Sequence, residues 1–358
     1  MAESFMDRRA HPVRLWSIVA LGVLAVAGAV GYTLWSQGTF KSREKIAVLT
    51  WTEDTFWEPT EKGARDAADE FGVDLQFVRS KPDEAAQTQH IKELLGSGIQ
   101  GLAIAPNNPK TQEAVLNEAA GKVKLVTFDS DAPTTKRHGF VGTDDYAAGR
   151  IAASEVRAAM PDGAKILITV GSVDLTNGSD RRRGLIDELL DRPFNRDSAA
   201  EPVDAKLEGK NYQIVATVVD NANVDATPGI ITEALKKHPE VNCVVGLFSY
   251  SGPSAVKAAE AVGRKGQIKV IGFDESPDEQ AAVRDGAVYS SILQNQYRCG
   301  YETVRVLAEL VRGGQRQNGP TDDHSTDARL TALPVTILRA DNIDALREAR
   351  VIRKVDGK

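Results

Sequence analysis

The chain has 358 residues, with 44 Lys plus Arg against 50 Asp plus Glu, a formal net charge of −6. That length suits about two domains. The mildly acidic balance argues against a nucleic-acid binder, and two cysteines exclude a disulfide framework or a Cys-rich zinc module.

The N-terminus departs from the average. No residue from 15 to 40 is charged, and LWSIVALGVLAVAGAVGYTLW fills 15–35 behind Arg8, Arg9, His11 and Arg14. About 20 apolar residues are enough to cross a bilayer as a helix. Basic residues upstream keep the N-terminus cytoplasmic, and Trp16, Tyr32 and Trp35 sit where interfacial aromatics belong. Residues 1–41 therefore read as a cytoplasmic n-region plus a transmembrane anchor. The rival reading is a signal peptide cleaved after Ala25-Val26-Ala27. Either way the remainder is extracytoplasmic.

From residue 42 to 349, β-branched runs alternate with amphipathic stretches. Strands are expected at 45–50, 73–78, 101–105, 123–128, 165–170, 213–219, 241–248, 268–273 and 288–293. Their near-continuous apolar character fits parallel strands covered on both faces. Ile91, Leu94 and Leu95 mark one intervening helix, and Val304, Leu307, Ala308 and Val311 another. The pattern predicts an α/β fold of two doubly wound parallel-sheet lobes, with ligand groups at the carboxyl ends of the strands. Segments 192–210 and 313–329 read as surface loops.

Polar and aromatic residues gather after those strand ends: Trp51 to Trp57, Asn107, Asp129 and Ser130, Asn221, Ser251, Asp274 and Gln294. Carboxylates accept from neighbouring hydroxyls, guanidinium groups donate in pairs, and aromatic rings cover an apolar sugar face. This chemistry suits a polyhydroxylated ligand. Each Asp alone reads equally well as a helix cap or a turn residue. One of Phe56 and Trp57 is expected in the core, with Trp57 the ligand-facing member. Cys243 and Cys299 read as free thiols, with a disulfide as the minor reading. No phosphate loop, nucleophile elbow or metal-ligand spacing is present, so neither an enzyme nor a cofactor is expected.

Several motifs carry a resemblance: TFDSDAP at 127–133, VGTDDYAAGRIAA at 141–153, SDRRRGL at 179–185, GLFSYSGPSA at 246–255, VIGFDESPD at 270–278 and QNQYRCGY at 294–301. Together they resemble the periplasmic sugar-binding proteins of ribose-type ABC importers, over residues 42–349. The resemblance implies a type I binding-protein fold, with one lobe from 42–143 and 295–328 and the other from 144–294 and 329–349. Three crossovers are expected, near Thr143-Asp144, near Gln294-Asn295 and between 320 and 333. It also implies a monomer that closes on a monosaccharide or polyol and docks on an ABC permease or receptor in the inner membrane. By position it assigns ligand contact to Asp54, Phe56, Trp57, Asp129, Arg181, Asn221, Ser251, Asp274 and Gln294. Trp51, Asn107 and Ser130 are further candidates. Ser130 and Asn221 depart from the residues of ribose binders, as do Ala105 and Ser251. A receptor-linked sensor is the alternative function, and a carbohydrate-acting enzyme a weaker one.

Overall fold

The computed structural model describes residues 22–26, 29, 43–314 and 329–348. Residues 22–26 and 29 are helical, and Val23, Leu24 and Val26 are exposed. The rest of the 15–35 segment lies outside the described residues. Among the described residues no helix is long and apolar enough to cross a membrane.

The described residues from 44 onward build two sheets. The first contains β1 (Lys45–Leu49), β2 (Asp74–Val78), β3 (Gly101–Ile104), β4 (Lys124–Phe128), β5 (Gly139–Thr143) and β12 (Leu330–Leu333), in the order β12-β5-β4-β3-β1-β2. All its pairings are parallel. The second contains β6 (Ala164–Val170), β7 (Leu207–Glu208), β8 (Tyr212–Val219), β9 (Cys243–Gly246), β10 (Lys269–Phe273), β11 (Ser290–Leu293) and β13 (Thr336–Leu338). Its order is β13-β11-β10-β9-β6-β8-β7, and only β7 and β13 run antiparallel to their neighbours.

Successive residues on a strand face opposite sides of its sheet. Ile46 and Val48 enter one core while Ala47 and Leu49 enter the core on the other face. Ile166 and Ile168 are parted from Leu167 in the same way. This two-sided burial explains the unbroken apolar runs of the sequence. Both lobes repeat one winding, β2-β1-β3-β4-β5 and β8-β6-β9-β10-β11. The order reverses at the first strand of each, and that is where a doubly wound sheet opens a crevice.

The helices are α1 (Glu58–Phe71), α2 (Glu84–Gly96), α3 (Glu113–Lys122), α4 (Asp145–Ala159), α5 (Thr176–Leu189), α6 (Thr227–Lys237), α7 (Ser251–Ala261), α8 (Pro277–Arg284), α9 (Gln296–Val311) and α10 (Ile343–Glu348). Proline opens α1, α6 and α8, where its missing N–H costs nothing. The chain passes between sheets after β5, after β11 and after β12. Two of these passages are capped at once: Asp144 accepts from the Ala147 N–H and Asn295 from the Arg298 N–H, at 3.1 and 2.9 Å.

The third passage differs from expectation. Leu330–Leu333 pairs with β5, so it belongs to the first sheet, not with the rest of 329–349 in the second lobe. The return falls at Pro334-Val335. Strands β5, β12 and β13 were not expected as strands, and β7 lies in a segment read as loop. Cys243 and Cys299 are free, and each is buried in a different lobe.

Each lobe contains one helix crossing with backbone against backbone. A Cβ on Gly63 of α1 would lie 1.9 Å from the Tyr297 carbonyl oxygen of α9, and one on Gly300 of α9 1.9 Å from that of Thr60. In the other lobe, a Cβ on Gly149 of α4 would lie 2.1 Å from the Arg181 carbonyl oxygen, and one on Gly184 of α5 2.0 Å from that of Tyr146. Neither crossing can admit a methyl group without moving a helix. Gly149→Ala is expected to destabilise the protein by about 2–3 kcal/mol. Gly121→Ala, at a helical position with nothing within 4 Å, should stabilise it by about 0.5–1 kcal/mol. Urea unfolding of both variants checks the contrast.

Candidate functional site

The carboxyl ends of both sheets face one crevice. Its inner part is a cavity of about 290 Å³, and an adjoining cavity of about 480 Å³ shares Asp54, Phe56, Tyr250, Asp274 and Gln294 with it.

The deepest groups are two aspartates at matching positions. Asp129 follows β4 and Asp274 follows β10, with φ of 59° and 63°. Their N–H groups donate to the neighbouring strand, to Val141 O at 3.0 Å and Ile292 O at 2.8 Å. The left-handed backbone is disfavoured for most side chains, but Asp and Asn tolerate it. It ends each strand and leaves the carboxylate in the crevice. Gln296 Nε2 donates to Asp129 at 3.1 Å and Gln294 Nε2 donates to Asp274 at 2.9 Å. Gln296 is itself held by the Thr60 hydroxyl at 3.0 Å. Asn177 of α5 reaches Asp129 from the other lobe at 3.5 Å.

Arg181 is buried beside them. Its Nε donates to Asp145 at 2.8 Å, its Nη1 to Leu247 O at 2.9 Å, and its guanidinium lies 4.7 Å from the centre of the Phe273 ring. Nη2 is buried without a partner, and the residue lines the inner cavity. Burial opposes its charge, but Asp145, Asp274 and Asp129 outweigh that and raise its pKa. Burial pushes Asp129 up to about 6, against the attraction of Arg181 and the Gln296 hydrogen bond. Asp274 is raised by burial for the same reason.

Aromatic rings complete the walls. Trp51 packs against the cores of both lobes, and its buried Nε1 has no partner. Phe56 comes from the first lobe, Phe248 and Tyr250 from the second. The Tyr250 hydroxyl is taken by Asp220 at 2.7 Å. Asp54 sits at the exposed rim, where it caps the short 3-10 turn Thr55–Trp57 by accepting from Phe56 N–H at 2.9 Å.

Of the residues expected at the site, the cavity brings together Asp54, Phe56, Asp129, Arg181, Asp274 and Gln294, and Trp51 with them. Five others are placed elsewhere. Trp57 is fully buried against Phe128 and gives its Nε1–H to Thr52 at 2.7 Å, so it supports Phe56 from below. Asn221 is an exposed turn residue with φ of 54°, and Ala222 and Val224 reach the wall instead. Ser251 is buried under the start of α7 with its hydroxyl unpartnered. The Asn107 N–H is bound by Gln87 at 2.8 Å, and Ser130 is buried with its hydroxyl 3.4 Å from that of Thr176. Gln296, Asn177, Phe248 and Tyr250 were not among the expected residues. Gln296 stands two places after Gln294 in the same QNQ motif, which was the available signal.

The buried carboxylate has a cost in stability. A buried acid with a raised pKa stabilises the fold when protonated, and that contribution fades as pH rises from about 4 through about 6. Asp129→Asn keeps the shape, tolerates the backbone and removes the charge. Above pH 7 the ligand-free variant should be about 1–2 kcal/mol more stable than wild type, and near pH 4 this gain should vanish. Thermal melts across that range check the sign.

A family profile described as a periplasmic binding protein domain matches residues 46–315. The ribose import binding protein RbsB of Salmonella typhimurium is 24% identical over 303 residues, covering 83% of this chain and 94% of that protein. GanP, a glucose-galactose binding protein from Geobacillus stearothermophilus, superposes with a TM-score of 0.74 at 25% identity, covering 85% of this chain and 99% of that one. An ABC transporter solute-binding protein from Burkholderia graminis, in complex with D-arabinose, gives 0.73 at 25% identity, with 85% and 98% covered. With three-quarters of its length inside one domain profile, the chain belongs to the periplasmic binding protein family.

Proposed function

We propose that this protein binds a monosaccharide or polyol between its lobes and presents the closed, loaded form to an ABC permease in the inner membrane. One observation carries the reading. Two buried carboxylates at equivalent strand ends and one unpartnered arginine nitrogen converge on a cavity walled by aromatic rings. Hydroxyls that both donate and accept match that set, and the rings suit the apolar face of a sugar. The names of the ribose-, arabinose- and glucose/galactose-binding relatives support the same ligand class.

Closure is a rotation about the three interlobe passages. The ligand favours the closed state because only there do both lobes reach it, and its differential affinity sets the population shift. No covalent step is required of any residue in the cavity, so the protein acts as a binder and not an enzyme. The apolar segment 15–35 directs export and holds the N-terminus in the inner membrane, which leaves the lobes extracytoplasmic. N-terminal sequencing of the mature protein checks that part, since a chain beginning near Gly28 would show cleavage instead.

A thermal-shift screen of pentoses, hexoses and inositols tests the central reading. A true ligand at about 100 times its Kd adds about 2.7 kcal/mol of stability and raises Tm by a few degrees. Asp274→Ala should abolish the shift while leaving the ligand-free protein folded. The reading fails if no member of the panel moves Tm, or if Asp274→Ala responds as wild type does.

A further inference from the structure

Trp51 follows β1 at the point where the strand order of the first sheet reverses, and its turn is fixed on both sides. The Thr50 N–H donates to Val78 O at 3.0 Å. The buried Gln87 amide donates to Thr50 O at 3.0 Å and to Ala105 O at 2.8 Å. The Thr50 hydroxyl donates to Thr52 O at 2.8 Å, and the Thr52 hydroxyl to Asp54 at 2.7 Å. All these bonds lie within the first lobe. They leave the Trp51 backbone little freedom, so the indole is a stiff projection of that lobe.

The ring reaches the other way. Among the described residues, Trp51 is the one half-buried apolar side chain packed against a core of each lobe. Other ties across the crevice are polar. The Asp131 N–H donates to the Thr176 hydroxyl at 2.8 Å, Asn177 reaches Asp129 at 3.5 Å, and Lys110 lies 3.9 Å from Asp174 with both side chains exposed. Water replaces such contacts at little net cost when lobes part. It does not replace the apolar contact of an indole, whose exposure is unfavourable in proportion to its area. Separation of the lobes is therefore resisted at Trp51 whether or not a ligand is bound.

The edge of the same ring is unpaired. Trp51 lines the inner cavity, and its buried Nε1 has no hydrogen-bond partner among the described residues. An indole N–H can only donate, and a buried donor left unpaired is unfavourable. A hydroxyl or ring oxygen of a bound sugar completes it.

We propose that Trp51 controls closure of this cleft: its ring holds the lobes together ahead of any ligand, and its Nε1–H selects ligands that place an acceptor oxygen against it. The first half stands on packing alone, and the second rests on the sugar-binding reading above. The ring raises the fraction of molecules in the binding-competent state, so it strengthens every ligand alike, because apparent affinity scales with that fraction. The N–H discriminates, because a ligand without the oxygen leaves it buried and unpaired.

Spin labels at Lys81→Cys and Asp278→Cys, exposed positions on opposite lobes, report the gap by pulsed electron double resonance. The native Cys243 and Cys299 are buried and stay unlabelled. In the ligand-free mature protein the distances should be mostly short, and Trp51→Ala should raise the ratio of long to short about tenfold or more. Trp51→Phe, which keeps a ring but no N–H, should stay close to wild type. Isothermal titration with D-ribose, D-arabinose, D-glucose, D-galactose and myo-inositol reads the second half. The tightest of these should bind Trp51→Phe about tenfold more weakly, with label distances unchanged. Mostly long distances in the ligand-free protein, or a Trp51→Ala distribution equal to that of wild type, overturn closure control, and the first of these needs no variant at position 51 to fold. Equal affinity of Trp51→Phe and wild type overturns the N–H role and leaves the sugar reading standing. If none of the ligands binds wild type, the N–H role and the sugar reading both fall, while the distances still decide closure.

Discussion

The buried charge of Arg181 is the constraint on which the rest of the site depends. A guanidinium taken out of water needs a partner held as firmly as itself. Asp145 provides it at 2.8 Å from the first residue of α4, immediately after the chain has left the first sheet. The two helices meet through Gly149 and Gly184, so their backbones are in contact where the ion pair forms. Asp144, one residue earlier, caps α4 and pairs with Arg196. The first interlobe passage, the deepest helix contact of the second lobe and the cation of the cavity are thus one assembly. A substitution at the glycines is felt at the ligand site because it moves the Arg181 backbone directly.

Each lobe brings a buried aspartate on a left-handed residue and an amide that donates to it. Gln294 and Gln296 flank the second passage, so both amides come from the same crossing of the chain. The cavity is therefore pre-organised around the hinge, and the residues that aim at the ligand also mark where the lobes turn. That arrangement keeps two carboxylates buried. Function is here stored as an unfavourable term in the folded state, a common feature of binding sites.

Much of this was legible in the residues. Unbroken apolar runs such as KIAVLT and KILITV fit parallel strands with both faces covered, and the acids after them marked the crevice. The motif order pointed to Asp129, Arg181 and Asp274, which line one cavity. What could not be read was orientation. Trp57 and Phe56 are adjacent and similar, and only packing against Phe128 and the Thr52 hydroxyl decides which ring is core. Asn221 and Ala222 both adopt positive φ, and that turn exposes the Asn where a β-strand continuation would have turned it inward. Strand β12 hid because four residues of modest hydropathy pair only with a strand nearly two hundred positions away.

The left-handed backbone at Asp129 and Asp274 also limits how this cleft can diversify. Only Asp, Asn and Gly occupy such positions cheaply. Of these, Asn preserves the reach and Gly empties the position. Drift toward another ligand is therefore channelled away from the two deepest residues and toward the rim, to Asp54, Val224 and Tyr250, whose backbones accept a wider range of side chains. The floor of the cleft is in effect a fixed lock with two settings per tumbler, and new specificities have to be cut at its mouth.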